Sequence, residues 1–309
     1  MSENYVNASN GAAITSTMAE RDMKKVATRQ LVMKIAVQVM LYLFLGFMAL
    51  VVVFPFYWMI ISSLKTLKEY MAPVPTLFPS EIIWSNYIEA FTQSDLGIMF
   101  FNTVYVGVVS TILSLIITVL SAFAFARLEF KGRNTLFAIL LATMMIPGEL
   151  FTITNYITTT KILNWYDTYT VLIVPFLVSV FYIYLLRQNF MQIPNELYLA
   201  AKVDGTKDLK YLWKVMIPLS LPNLISITIL KMMGSWNSYI WPNLVTRPAH
   251  QLITNGLRNT TFGVEGQTNL INYPVQMAAV TVVTIPLFLV FIFLRKYIMK
   301  GVSRSGIKG

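Results

Sequence analysis

Residues 35–61 read IAVQVMLYLFLGFMALVVVFPFYWMII, a stretch too long and too apolar for the core of a small soluble domain. A bilayer core of ~30 Å takes about 20 helical residues at ~1.5 Å each. Working outward, five more stretches of this kind follow: Met99 to Ala126, Leu136 to Tyr156, Tyr169 to Leu186, Ile217 to Trp241, and Val275 to Tyr297. Polar or Pro-marked segments separate them, so each is expected to be a membrane span. The whole chain agrees, with 309 residues, 56% hydrophobic, 12% charged and no Cys. An ordinary soluble domain has roughly 25% charged residues, and so few charges could not cover a water-exposed surface of this size. A disulfide scaffold is excluded by the lack of Cys. The fold class expected is all-α, a polytopic membrane protein with six transmembrane helices.

The net charge of +10 has a topological explanation. Lys and Arg concentrate in the N-terminal segment (Arg21 to Lys34), the turn Arg127 to Arg133, the segment Arg187 to Lys214, and the C-terminal segment from Arg295. These hold eighteen of the cations. The opposite side has five: Lys65, Lys68, Lys161, Arg247 and Arg258. Cytoplasmic loops carry the excess of Lys and Arg, so both termini are expected in the cytoplasm and no nucleic-acid partner is implied. Residues 1–30 lack the compact apolar region of a cleavable signal and read as a disordered cytoplasmic tail. Residues 31–309 form the transmembrane domain.

Much chemistry is missing. There is no G-x-x-x-x-G-K-[ST] nucleotide loop, and the one His, His250, cannot build a typical zinc site without Cys. His250 reads as an ordinary polar loop residue. Glu149, beside Pro147 and Gly148, is the one carboxylate expected inside a span. Proton-coupled carriers relay protons through buried Asp, Glu or His, so the drive for any transport must come from elsewhere. No catalytic residue, metal ligand or cofactor site is expected in this chain.

The segment after the fourth span, about 190–218, is the most informative. It runs Pro194-Asn195-Glu196-Leu197-Tyr198-Leu199-Ala200-Ala201-Lys202-Val203-Asp204-Gly205, then nine residues to Val215-Met216-Ile217-Pro218. Pro194 suits a helix start and Glu196 suits its positive end. Ala200 and Ala201 make a smooth surface that another protein can approach. Gly205 can take the left-handed conformation that ends a helix, and Thr206 is placed to cap a second helix through Lys214. The expected result is a helix–turn–helix knob.

This segment resembles the E-A-A-x-x-x-G-x9-I-x-L-P loop of ABC-importer permeases. Ala200, Ala201, Gly205 and Pro218 stand at the family spacing, and Pro194, Glu196, Leu197 and Asp204 fit its fuller form. Leu199 replaces the Glu of the triplet, which in such permeases can pair with a basic residue of the ATPase subunit. Further stretches are similar to the carbohydrate branch: Pro55 to Lys65, Phe101-Asn102-Thr103, Ala126 to Arg133, Gly234 to Asn237 with Trp241-Pro242, and Gly301 to Gly309. The resemblance implies a heterodimer with a second permease, two ATPase subunits that bind ATP and Mg, and an extracytoplasmic solute-binding protein. It also implies a prokaryotic inner-membrane location. The knob would seat in the ATPase, and this chain would do no covalent chemistry.

Two polar stripes are candidate pathway residues. Thr103, Ser110, Ser114, Thr118 and Ser121 share one face of the second span, and Thr228, Lys231, Ser235 and Ser238 form a stripe in the fifth. Small hydroxyl residues also suit helix packing in lipid. Lys231 weighs more, because a cation at mid-bilayer costs about 2.5–3.5 kcal/mol and should face water, a partner or substrate. The segment Asn243 to Tyr273 would, by the same resemblance, reach into the binding protein. Its sparse charge suits a neutral sugar. A polyol or glycerol-phosphate-like solute remains an alternative, as does, in another class, an ion-driven carrier or channel.

Overall fold

The computed structural model describes the backbone of residues 3–264 and 267–303, and the side chains of 30–264 and 270–295. Helix α1 spans Glu3–Ser63. Its segment Gln30–Ser63 is long and apolar enough to cross a bilayer. The reading of 1–30 as a disordered tail differs from this helix, which already begins at Glu3. The first 54 residues contain no Pro to stop a helix. Residues 1–59 form one compact unit and residues 60–309 another. Within the first, Phe54 stacks on Trp58 with ring centroids 6.1 Å apart.

In the second unit the helices are α2 (Ser85–Thr92), α3 (Leu96–Arg127) and α4 (Arg133–Thr143). They are followed by α5 (Gly148–Ile162), α6 (Tyr169–Phe176), α7 (Val180–Met191) and α8 (Asn195–Val203). Then come α9 (Asp208–Leu219), α10 (Leu221–Trp236), α11 (Ile240–Val245) and α12 (Ile253–Asn259). A small antiparallel hairpin, β1 (Gly263–Val264) and β2 (Gln267–Ile271), precedes α13 (Tyr273–Ser303).

Two of these helices, α3 and α13, are long enough to span alone. Three further spans are bent pairs: α4 with α5 at 85°, α6 with α7 at 45°, and α9 with α10 at 81°. Together with α1 this gives up to six spans, as the hydropathy pattern requires, but three of the expected continuous helices are broken. Proline explains the positions. Pro147 precedes α5 and disfavours helix in the residue before it. Pro175 lies in the last turn of α6. Pro222 has no N–H to give the Pro218 carbonyl, and the chain turns at Ser220 between them. At 16 residues, α10 is ~24 Å long, so it needs the Ile217–Leu219 end of α9 to complete a crossing.

Helix α3 is the spine. At its Arg127 end, Val119, Ala122 and Phe123 pack with Leu186 and Phe190 of α7, Tyr211, Leu212 and Met216 of α9, and Ile227 of α10. The Arg127 guanidinium donates to the carbonyls of Phe190 at 2.8 Å and Ile193 at 2.5 Å. Both carbonyls lie at or just past the C-terminal end of α7, where a cation is favoured. At its Leu96 end, Leu96 and Met99 pack with Trp236, Ile253, Phe262, Val275 and Ala278. Gly256 lies so close to Met99 that an added Cβ would fall 2.4 Å from its sulfur.

Candidate functional site

Two places gather the residues singled out from the sequence. The first is the knob. Pro194, with φ −54 and ψ 136, sits just before α8 as its cap, and Glu196 occupies the first turn. Gly205 has φ +69, where a side chain would be strained. There its N–H donates to Lys202 O at 3.0 Å and the Thr206 N–H to Ala201 O at 2.8 Å. This pair of bonds closes the helix end.

The second helix departs from expectation. It starts at Asp208, preceded by an extended Lys207 without a side-chain cap, and Thr206 caps nothing. The Thr206 N–H is drawn back onto α8, which leaves that residue too early to act on α9. Asp208 instead ties the two helices together. Its Oδ1 accepts from the Tyr198 hydroxyl at 2.8 Å and from Lys202 Nζ at 2.6 Å. Lys202 first, then Tyr198, holds the Asp208 carboxyl below its ordinary range, and Asp208 raises Lys202. The Asp208 contribution is present above the usual carboxylate range and lost as pH falls through its lowered value. That of Lys202 is present below the usual lysine range and lost as pH rises through its raised value. Around neutral pH both operate.

The alanine pair divides its work. Ala201 and Tyr198 pack inward on the cluster around Tyr211 and Phe190. Ala200 and Gly205 are exposed, as are Leu199 at 55% and Val203 at 89%. Where the family motif has an acid, this knob presents an apolar side chain. Pro218 lies in α9, two residues before the bend. The knob is therefore an exposed tip on a root buried among α3, α7 and α10.

The second place is a cavity of about 380 Å³. Its polar lining includes Ser110 of α3 and Lys231 and Ser235 of α10, with Ser238 just beyond. Phe176 and Trp241 supply aromatic walls, edge to face at 5.5 Å. Lys231 Nζ donates to the Phe176 carbonyl at 2.6 Å, at the break between α6 and α7. Ser110 Oγ and Ser235 Oγ lie 3.4 Å apart. Helices α3 and α10 approach closely at Gly107, where an added Cβ would meet Met232 Sδ at 3.2 Å.

The α3 stripe thus splits. Ser110 reaches the cavity. Ser114 and Thr118 are buried in packing and do not line it. Thr103 accepts the Ile253 N–H at 2.8 Å and holds the start of α12. Thr228 bonds back to Leu224 O at 2.8 Å within its own helix. Glu149 stands exposed in the first turn of α5, after the bend.

Two positioning networks have no chemical signal in the sequence. Asn102 Nδ2 donates to Ala249 O at 3.0 Å and Gln251 O at 3.1 Å, while its Oδ1 accepts from the Tyr169 hydroxyl at 2.7 Å. It pins the turn leading into α12. Asp167 Oδ1 accepts the Arg247 N–H at 2.8 Å and lies 3.0 Å from His250 Nδ1. His250 also packs edge-on against Tyr169 at 4.8 Å. Trp241 Nε1 donates to Val171 O at 2.9 Å, joining α11 to α6.

Residues 114–304 match the model of the family described as "Binding-protein-dependent transport system inner membrane component". The chain is 32% identical to the arabinooligosaccharides transport system permease protein AraQ of Halalkalibacterium halodurans over 85% of its own length and 94% of that protein. It is 30% identical to the sn-glycerol-3-phosphate transport system permease protein UgpE of Yersinia pestis, over 83% of this chain and 92% of that one. A chain in the crystal structure of a bacterial ABC transporter that imports the acidic polysaccharide alginate superposes with a TM-score of 0.74 at 25% identity. The match covers 84% of this chain and 95% of that one.

Proposed function

Since the chain belongs to the binding-protein-dependent inner-membrane transport family, as the permease component of a carbohydrate ABC importer and not its ATPase, we propose that it imports a sugar or oligosaccharide by a lever mechanism. In this reading it builds the pathway with a second, related permease, and two ATPase subunits that bind ATP and Mg seat on the knob around Ala200 to Gly205. A solute-binding protein delivers ligand on the opposite face. Both termini and the knob are cytoplasmic, in keeping with the eighteen cations of the loops on that side.

The observation that carries this reading is the construction of the knob. Its exposed tip, Leu199, Ala200 and Val203, is joined by Ala201, Tyr211 and Leu212 to the same cluster that holds α3, α7 and α10. A push on the tip is a push on the spans. ATP-driven closure of the ATPases would favour one packing of that cluster over the other, and a ligand shifts such an equilibrium by its differential affinity for the two states. A glycerol-phosphate-like solute is the second reading, favoured by the 30% identity to the Yersinia permease.

In proteoliposomes holding the intact complex, sugar uptake should require ATP, and liganded binding protein should accelerate ATP hydrolysis several-fold. Uptake driven equally well by an ion gradient without ATP would overturn the proposal.

A further inference from the structure

The cavity beside α10 holds a positive charge with no carboxylate in its lining to pair with it. The lining includes the hydroxyls of Ser110, Ser179, Ser235 and Ser238 and contains no Asp or Glu. The Lys231 ammonium gives one proton to the Phe176 carbonyl. Its other two N–H groups have no hydrogen-bond partner among the described residues. The carbonyl end of α6 favours a cation, but capping it does not call for a full charge, since a Gln or a hydroxyl would also serve. An ionised side chain inside a membrane protein is costly to keep. At about 380 Å³ the cavity has the size of a small-molecule site.

We infer that this cavity selects a carbohydrate bearing an oxyanion, a uronate carboxylate or a phosphate, with the anion against Lys231 and its hydroxyls on the serines. The inference rests on the importer reading and names its substrate class. It replaces the neutral sugar suggested by the sparsely charged Asn243 to Tyr273 segment, because the charge that matters lies in the cavity.

The chain has no native Cys, so Ser238→Cys in the intact complex provides a reporter thiol. Its modification is followed by the mass of this chain, using two methanethiosulfonate reagents, anionic ethylsulfonate and cationic ethyltrimethylammonium. With Lys231 present, the anionic reagent should react at least about tenfold faster, every rate in this test being divided by the same reagent's rate with a free small-molecule thiol. The preference should vanish in Lys231→Gln and persist in Lys231→Arg. Trigalacturonate or glycerol 3-phosphate should slow the reaction, and whichever does so identifies the anion. The neutral methyl ester of trigalacturonate should not. Equal or faster reaction of the cationic reagent in the Lys231 background would overturn the inference. So would protection by the ester as strong as by the acid, or protection by none of the three. If Lys231→Gln fails to assemble, the reagent ratio in the Lys231 background decides alone. ATP-driven uptake by the complex with Ser238 intact tests the importer reading separately, so either can fail without the other.

Discussion

Replacing Gly205 by Pro should leave the protein inserted and assembled but reduce ATP-driven uptake at least about tenfold, because proline cannot adopt the backbone conformation that closes α8. Gly205 sits at φ +69, whereas proline fixes φ near −65° and deletes the N–H. The bond to Lys202 O at 3.0 Å would be lost and α8 would swing away from α9. Nothing lies within 4 Å of where a Cβ would stand, so the damage is conformational rather than steric. Gly205→Asn, which tolerates left-handed backbone, should therefore keep most of the uptake. Hydrolysis of ATP should persist in the Pro variant while transport stops. Normal uptake by Gly205→Pro would show that the shape of the knob does not matter.

Tyr211→Ala should be the most damaging change at the root. Tyr211 is 1% exposed and packs with Phe123, Leu186, Phe190 and Met216. Removing a large buried ring costs about 3–5 kcal/mol, here at the junction that carries motion from knob to spans. The thermal midpoint of the complex should fall and uptake should drop steeply. Tyr211→Phe keeps the ring and should retain transport. An alanine variant matching the parent in both would mean that the cluster transmits nothing.

Hydropathy made the spans legible because burial in lipid demands about 20 apolar residues whatever their partners. The knob was legible because Pro194 fixes its own backbone and Gly205 admits the left-handed conformation that closes a helix. The breaks were not. Pro147, Pro175, Pro218 and Pro222 were visible in the sequence, but neighbouring helices in a membrane protein can repair a proline. Periodicity therefore cannot distinguish a kinked span from two helices at 81°. Helical spacing placed Ser110, Ser114 and Thr118 on one face, yet a shared face does not say what covers it. Ser110 meets the cavity, and the other two meet packed helices. Lys231 announced itself by its cost. Its acceptor, the Phe176 carbonyl, is backbone, and any residue type could have supplied it. Asn102 was silent for the same reason, since it holds carbonyls. The Thr206 cap failed because one main-chain bond to Ala201 moved the start of α9 to Asp208.

The most direct test of the lever is cross-linking from its tip. In the intact complex, Ala200→Cys introduces the sole thiol of this chain, which should be modified by a membrane-impermeant reagent only in inside-out vesicles. A short thiol-to-amine cross-linker should join it to an ATPase subunit. Labelling from the extracytoplasmic side, or an actively transporting complex in which the introduced thiol never cross-links to that subunit, would contradict the mechanism.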